Sequence, residues 1–145
     1  MNTFHLKIVT PNRILHDGAV SQISLPTPQG EITVLPHHIP LISMISAGAI
    51  EAKAEHDDIF IAVEGGFVEV TPDGITILAD AAHMADEIDE VKVNVAIERA
   101  QNALETSEVH DHNYEMLRAL IERETSKIKV LRRFRERGIR IKREE

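Results

Sequence analysis

The run Pro28-Gln29-Gly30-Glu31-Ile32-Thr33-Val34-Leu35-Pro36-His37-His38-Ile39-Pro40-Leu41-Ile42-Ser43-Met44-Ile45-Ser46-Ala47-Gly48-Ala49-Ile50 decides how the rest of the chain is read. Gly30 breaks one strand, and Ile32, Val34 and Leu35 begin another. Pro36 and Pro40 each fix φ and remove a backbone donor, so no single strand passes through both. They bracket His37 and His38, which places two imidazoles on a rigid corner. Leu41 to Ile45 resumes an apolar run, and Gly48 signals a further reversal.

Working outward, the same vocabulary continues on both sides. Upstream, residues 3–9 alternate, with Phe4, Leu6 and Ile8 on one side and His5 and Lys7 on the other, the period of a half-buried strand. Pro11-Asn12 turns the chain, Arg13–Leu15 is a short second strand, and Asp17-Gly18 turns it again. Val20, Ile23 and Leu25 form a third strand ending at Pro26. Downstream come Ala49–Ala54, a polar turn at His56-Asp57-Asp58, Ile59–Val63, then Gly65-Gly66 leading into Phe67–Val70. Pro72-Asp73-Gly74 is a turn with a mechanism, since proline presets φ and glycine accepts a positive one. Ile75–Leu78 closes the series. Short strands at this spacing, punctuated by Gly and Pro, predict an all-β sandwich or barrel of about ten short antiparallel strands.

Near Ala81 the character changes. From Asp89 onward there is no Pro, and Gly occurs only at Gly138. Val93, Ala96, Ile97, Ala100, Ala103 and Leu104 recur at helical spacing, opposite Asn94, Glu98, Gln101 and Glu105. Asp86 or Asp89 caps the start of this helix. Thr106–Asn113 is a polar break. A second helix is predicted from about Tyr114 to Arg137, with Leu117, Leu120, Ile121, Ile128, Leu131 and Phe134 as its stripe and Gly138 as its end. The short connection makes the pair an antiparallel α-helical hairpin. The expected organisation is therefore a β-sandwich domain over residues 1–86 and a two-helix hairpin with a basic tail over residues 87–145. The first helix presents mostly alanine, and Glu124 falls inside the second helix's stripe, where a carboxylate must be paired or wet. The hairpin is expected to be weakly held and able to exchange its docking for other contacts.

Composition bounds the chemistry. At 145 residues the chain has room for one domain, or one domain with an appendage. The absence of Cys excludes disulfides and thiolate metal sites. No apolar run approaches the roughly 20 residues of a bilayer span, and the start lacks a leader pattern. The expectation is a mature soluble protein that meets a membrane only through partners. The net charge of −8 hides an asymmetry: residues 123–145 hold ten of the sixteen Lys and Arg against four Glu. A basic tail on an acidic body implies an acidic partner, or a tail that folds back.

Candidate chemical groups are few. His37 and His38 are adjacent on an extended corner, point in opposite directions, and have no partner at ligand spacing. His110-x-His112 with Asp111 is a better cluster, but such residues are ordinary in a polar interhelical loop. No phosphate loop, no Gly-x-Ser-x-Gly and no His-Glu-x-x-His occurs, so the chain reads as non-catalytic and without a metal. Glu64-Gly65-Gly66 reads as a strand bend. Lys127, Lys129, Arg132, Arg133, Arg135, Arg137, Arg140, Lys142 and Arg143 form the strongest electrostatic signal. Nucleic acid would suit clustered cations, but Phe134 is the only aromatic in the run and gives no stacking platform. An acidic protein surface is the better target.

The central run, Gly30-Glu31-Ile32-Thr33-Val34-Leu35-Pro36-His37-His38-Ile39-Pro40-Leu41, resembles one carried by the ε subunits of F-type ATP synthases, the δ subunits of mitochondria. Thr33 stands where that family has a second glycine. Gly65-Gly66-Phe67-Val68-Glu69-Val70 and Ile77-Leu78-Ala79-Asp80-Ala81-Ala82 match two further family motifs in order and spacing, and the resemblance covers nearly the whole chain. It implies a non-catalytic rotor-stalk subunit whose sandwich binds the γ subunit and the c-subunit ring, on the cytoplasmic face of a bacterial plasma membrane. It also implies a C-terminal hairpin that extends towards the α and β subunits and inhibits ATP hydrolysis. By position, Glu31, His38 and Met44 would lie at the c-ring and γ contacts. Lys127, Lys129, Arg132, Arg133, Arg135 and Arg137 would meet an acidic loop of the β subunits. Some members bind ATP at the start of the first helix. Here Ile88-Asp89-Glu90-Val91-Lys92-Val93 lacks the family's arginine, and Lys cannot replace its bidentate fork. Weak or absent nucleotide binding is expected, with Asp89, Lys92 and Arg99 as the residues concerned and no cofactor required. The rival reading is a free-standing β-sandwich adaptor whose basic helical tail binds nucleic acid or another acidic partner.

Overall fold

The computed structural model describes residues 2–107 and 112–144, with side chains described as far as Arg137. The chain divides into two compact units, Met1–Met84 and Ala85–Glu145.

The first unit is built from eight strands: β1 (Phe4–Val9), β2 (Ile14–Val20), β3 (Gln22–Thr27), β4 (Gly30–Val34), β5 (Leu41–Lys53), β6 (Ile59–Thr71), β7 (Gly74–Ala79) and β8 (Ala82–Met84). The two long strands, β5 and β6, belong to both layers of a sandwich. Their outer halves, Leu41–Ile45 against Gly66–Val70, continue through β7 and β1 to β2. Their inner halves are extended by β3, which pairs with β5 and in turn with β4, on one side and by β8, which pairs with β6, on the other. Each layer thus holds five strand segments, and the expected ten short strands resolve into eight because two of them serve twice.

The bend expected at Gly65-Gly66 is present, while the reversal expected at Gly48 is not. At Gly65-Gly66 the β6 strand crosses between layers, and Gly48 lies inside β5 rather than at a reversal. The register is the same on both sides of the crossing, with Ile45 opposite Gly66 and Ala47 opposite Glu64. A Cβ on Gly66 would fall on the Leu78 carbonyl oxygen, and its φ of 149° suits glycine. Only a residue without a side chain lets the two strands approach there. Asp17-Gly18 likewise sits inside β2, where Gly18 lies opposite Leu6 and leaves room for the His16 ring. Pro26 does not end β3; it pairs with Glu31 at a point where β5 no longer accompanies the strand, so its missing donor costs no ladder bond. The sheet is not wholly antiparallel, because β1 lies parallel to β7.

The turns share a chemistry. Thr27-Pro28-Gln29-Gly30 joins β3 to β4, and Thr71-Pro72-Asp73-Gly74 joins β6 to β7. In each, the Thr hydroxyl donates to the Gly carbonyl, at 2.6 and 3.2 Å, and accepts the third residue's N–H at 3.3 Å. After β1 the Thr10 hydroxyl donates to the Arg13 carbonyl and accepts the N–H of Arg13 itself, both at 3.2 Å. Between the layers, Leu6, Ile8, Ile23, Leu25, Ile50, Ile61 and Ile77 have no exposed surface. Each stabilises the fold by roughly 1.5–3 kcal/mol relative to an exposed side chain.

The second unit opens with a 3₁₀ turn, Ala85–Glu87, then α1 (Glu90–Glu105) and α2 (His112–Glu144). Asp89 is the N-cap of α1, and its carboxylate accepts from the Val91 and Lys92 amides at 3.1 and 3.2 Å. Of the two aspartates expected to cap, Asp89 does so. Val93 and Ala100 are buried on α1, and Ile128, Val130 and Leu131 on α2. Phe134, expected in the stripe, is partly exposed, and Val130 takes a buried place that the spacing did not mark. Gly138 does not end α2, which continues to Glu144. One glycine costs a helix about 1 kcal/mol, and no proline follows to stop it. His110 and Asp111, from the polar interhelical cluster, lie outside the described residues.

Candidate functional site

In the β2-β1-β7-β6-β5 layer, alternate residues face away from the core, and they form rows running across the strands. One row is apolar throughout: Met44 opposite Phe67, Phe67 opposite Leu78, Leu78 beside Val9, and Val9 opposite Ile14. Met44, Phe67, Leu78 and Ile14 are 54–57% exposed. A strand needs one apolar face to build a core; these strands carry apolar residues on both. A contiguous apolar row rather than scattered residues marks an interaction surface. The next row reads Ile42, Glu69, Thr76, Lys7 and Asp17, and Ile42 is 75% exposed. Asp17 is answered within the chain by His5 Nε2, 2.6 Å away.

Met44 is the one expected interface residue in the apolar row. Glu31 is exposed on β4, in the other layer. His38 sits in the corner between β4 and β5. There Pro36, a φ of 67° at His37, and a 3.2 Å bond from the His38 amide to the Leu35 carbonyl give the pattern of a type II turn. This corner and the Thr71–Gly74 turn line a cavity of about 550 Å³ with His5, Phe4 and Val70. Glu31, His38 and Met44 therefore form no single site.

On the hairpin, Lys129, Arg132, Arg133, Arg135 and Arg137 are exposed. Lys127 is not part of that surface: it is half-buried and bonds Glu124 at 3.0 Å, which supplies the partner that the Glu124 carboxylate needed. Arg135 is joined to Glu90 of α1 at 2.6 Å. Lys92 and Arg99 are exposed, while Asp89 is committed to capping the helix. Among the described residues there is no group of three or more His, Asp or Glu able to hold a metal ion. His16 faces the core side of β2. Its Nε2 is buried without a partner, and burial holds its pKa below the usual histidine value.

The sequence reading missed the apolar row. Its signal was present, since Leu41–Ile45 and Ile75–Ala79 are apolar on both parities, but such runs also suit strands buried on both sides.

Residues 3–85 match the family model for the β-sandwich domain of the ATP synthase delta/epsilon chain. The ATP synthase epsilon chain of Halalkalibacterium halodurans is 36% identical over 130 residues, covering 90% of this chain and 98% of that one. That of Bacillus subtilis is 39% identical over 104 residues, covering 72% and 79%. Among solved structures, a chain in the Euglena gracilis mitochondrial ATP synthase (OSCP/F1/c-ring) superposes with a TM-score of 0.76 at 21% identity, covering 89% of this chain and 81% of its own, a likeness of fold. The class these findings define is a sandwich-plus-hairpin subunit of a rotary ATP synthase. This chain belongs to the ATP synthase delta/epsilon chain family.

Proposed function

We propose that this chain is a non-catalytic rotor subunit of an F-type ATP synthase, in which the sandwich joins the γ subunit to the c-subunit ring. The observation that carries this reading is the exposed apolar row from Met44 to Ile14 on a sandwich whose relatives are epsilon chains. An apolar row of this length gains by being covered, and the γ subunit is the partner it fits. Glu31 is an exposed carboxylate off that row, which suits it to the polar loops of the c ring, and the corner at His38 carries exposed Leu35 and Ile39 beside its imidazoles. No described helix is long and apolar enough to cross a membrane. Membrane association, on the cytoplasmic face, is by way of the complex.

The hairpin is the regulatory part. The exposed cations from Lys129 to Arg137 favour an acidic surface on the α and β subunits, a contact that charge complementarity steers more than it tightens. In meeting that surface the hairpin inhibits ATP hydrolysis. Nucleotide binding is weak or absent, since Lys92 stands where a bidentate arginine is needed. The relatives named above are epsilon chains, which favours this reading over a nucleic-acid adaptor.

The test is reconstitution with a catalytic ring and γ subunit stripped of this chain. Wild type is expected to rebind and Phe67→Asp to fail, while both melt alike. Equal rebinding by Phe67→Asp would remove the apolar row from the argument.

A further inference from the structure

The Gly65–Val70 motif contains a carboxylate to which the fold gives no evident work. Glu69 points away from the core, exposed, on β6, between β5 and β7 of the docking layer. Its cross-strand neighbours are Ile42 and Thr76, and its neighbours along the strand on that face are Phe67 and Thr71. Met44 and Leu78 flank Phe67 in the adjacent row, so Glu69 borders the apolar row on that side, with Ile42 beside it. No ion pair or hydrogen bond joins its carboxylate to any described residue. Lys7 lies in the same row, but two strands away, about 10 Å. Asp17, the row's other carboxylate, is already met by His5.

In the free chain this arrangement costs little, because Glu69 is wet. Once a partner covers the face, the carboxylate loses its water. An ionised group buried unpaired is among the most costly features an interface can contain. A carboxylate at the edge of such a row is therefore compatible with docking only if the partner answers it. We propose that Glu69 is the specificity-determining group of this face: a basic side chain of the γ subunit pairs with it, and the pair fixes the register in which the apolar row is covered. This rests on the docking reading above. The row supplies non-directional area, while a single charge pair distinguishes one alignment from its neighbours.

The experiment measures binding of the full chain to a catalytic ring with its γ subunit, with Phe67→Asp as reference for the docking reading. Glu69→Gln is expected to melt as wild type does and to bind roughly ten- to a hundredfold more weakly, by faster dissociation that persists in high salt. Glu69→Lys is expected to abolish binding. A charge reversal at one γ basic residue should restore it, and should itself weaken wild-type binding. If Phe67→Asp abolishes binding but Glu69→Gln binds within about twofold of wild type, or only its association rate falls, the carboxylate stays wet at a rim and the pairing is wrong. If Phe67→Asp binds normally, the docking reading fails and the pairing fails with it.

Discussion

The sandwich and the hairpin are held together by different physics. The sandwich core joins residues far apart in sequence, with β1 beside β7 and β3 beside β5, and its large aliphatic side chains have no exposed surface. The hairpin is local. Its buried residues on α1 are one valine and one alanine, and its two helices are joined by an ion pair, Glu90 with Arg135, while Glu124 with Lys127 lies within α2. Small buried area and an exposed charge pair between the helices give a unit that can change partners at low cost. Large interlocked area gives one that cannot.

The coarsest way to break this contrast is to delete residues 88–145. The sandwich should still fold and join the complex, and ATP hydrolysis should rise as inhibition is relieved. An unfolded product by circular dichroism would show that the two units are not separable. Unchanged hydrolysis would remove the inhibitory role alone.

Point changes sharpen the same comparison. Gly66→Ala places a methyl on the Leu78 carbonyl where two strands cross between layers, and about 4 kcal/mol or outright loss of folding is expected. Ile61→Ala leaves a cavity between the layers and should cost about 2–5 kcal/mol in denaturant unfolding. Ala100, the buried counterpart on α1, has no such area to lose.

Acid should act on the sandwich through His16. Burial lowers its pKa, against the opposing effects of the Gly18 backbone and Asp17, and with the added effect of His5. The unfolded chain takes up this proton near pH 6.5, whereas the folded chain does so only at lower pH. Stability should therefore fall as the pH drops below 6.5, until the folded value is passed. His16→Leu should flatten that part of the profile; an unaltered slope would mean that other groups carry it.

A smaller effect belongs to the start of α1. Asp89→Ala should cost the hairpin about 1 kcal/mol by removing the cap, whereas Asp89→Asn should retain most of it. This also decides how nucleotide binding is tested by calorimetry. A heat signal lost in Asp89→Ala would confound uncapping with contact, so Asp89→Asn is the informative variant. A sub-millimolar ATP signal that Asp89→Asn abolishes would overturn the expectation of weak or absent binding.

What was legible in the sequence follows the same division. Alternation placed Leu6 and Ile8 in the core, and Pro72-Asp73-Gly74 marked a turn, because those signals are local. Gly65-Gly66 was read as a bend, but Gly48 was read as a reversal, because a glycine that ends a strand and one inside it look alike until the opposing strand is known. The outward apolar row was invisible for a related reason. It exists only when β1, β2, β5, β6 and β7 are laid side by side, and no single strand contains it. In the hairpin, helical spacing found Val93 and Ala100, but Lys127 was counted among free cations although Glu124 already holds it.

The finest test concerns Arg135, which both joins the two helices of the hairpin and belongs to its exposed cationic surface. Its bond to Glu90 spans the two helices, yet both side chains are substantially exposed, so solvent screens the attraction. A double-mutant cycle of Glu90→Gln and Arg135→Gln should give a coupling of about 0.2–1 kcal/mol, shrinking with added salt. That size is informative in itself. A link so weak holds Arg135 while the helices are packed but gives way to an acidic surface offering several carboxylates at once. Glu90→Gln alone should therefore leave the fold intact and modestly strengthen inhibition of hydrolysis, by freeing one more cation. A coupling of several kcal/mol would instead make the pair a fixed strut, and the hairpin would then be no easier to rearrange than the sandwich.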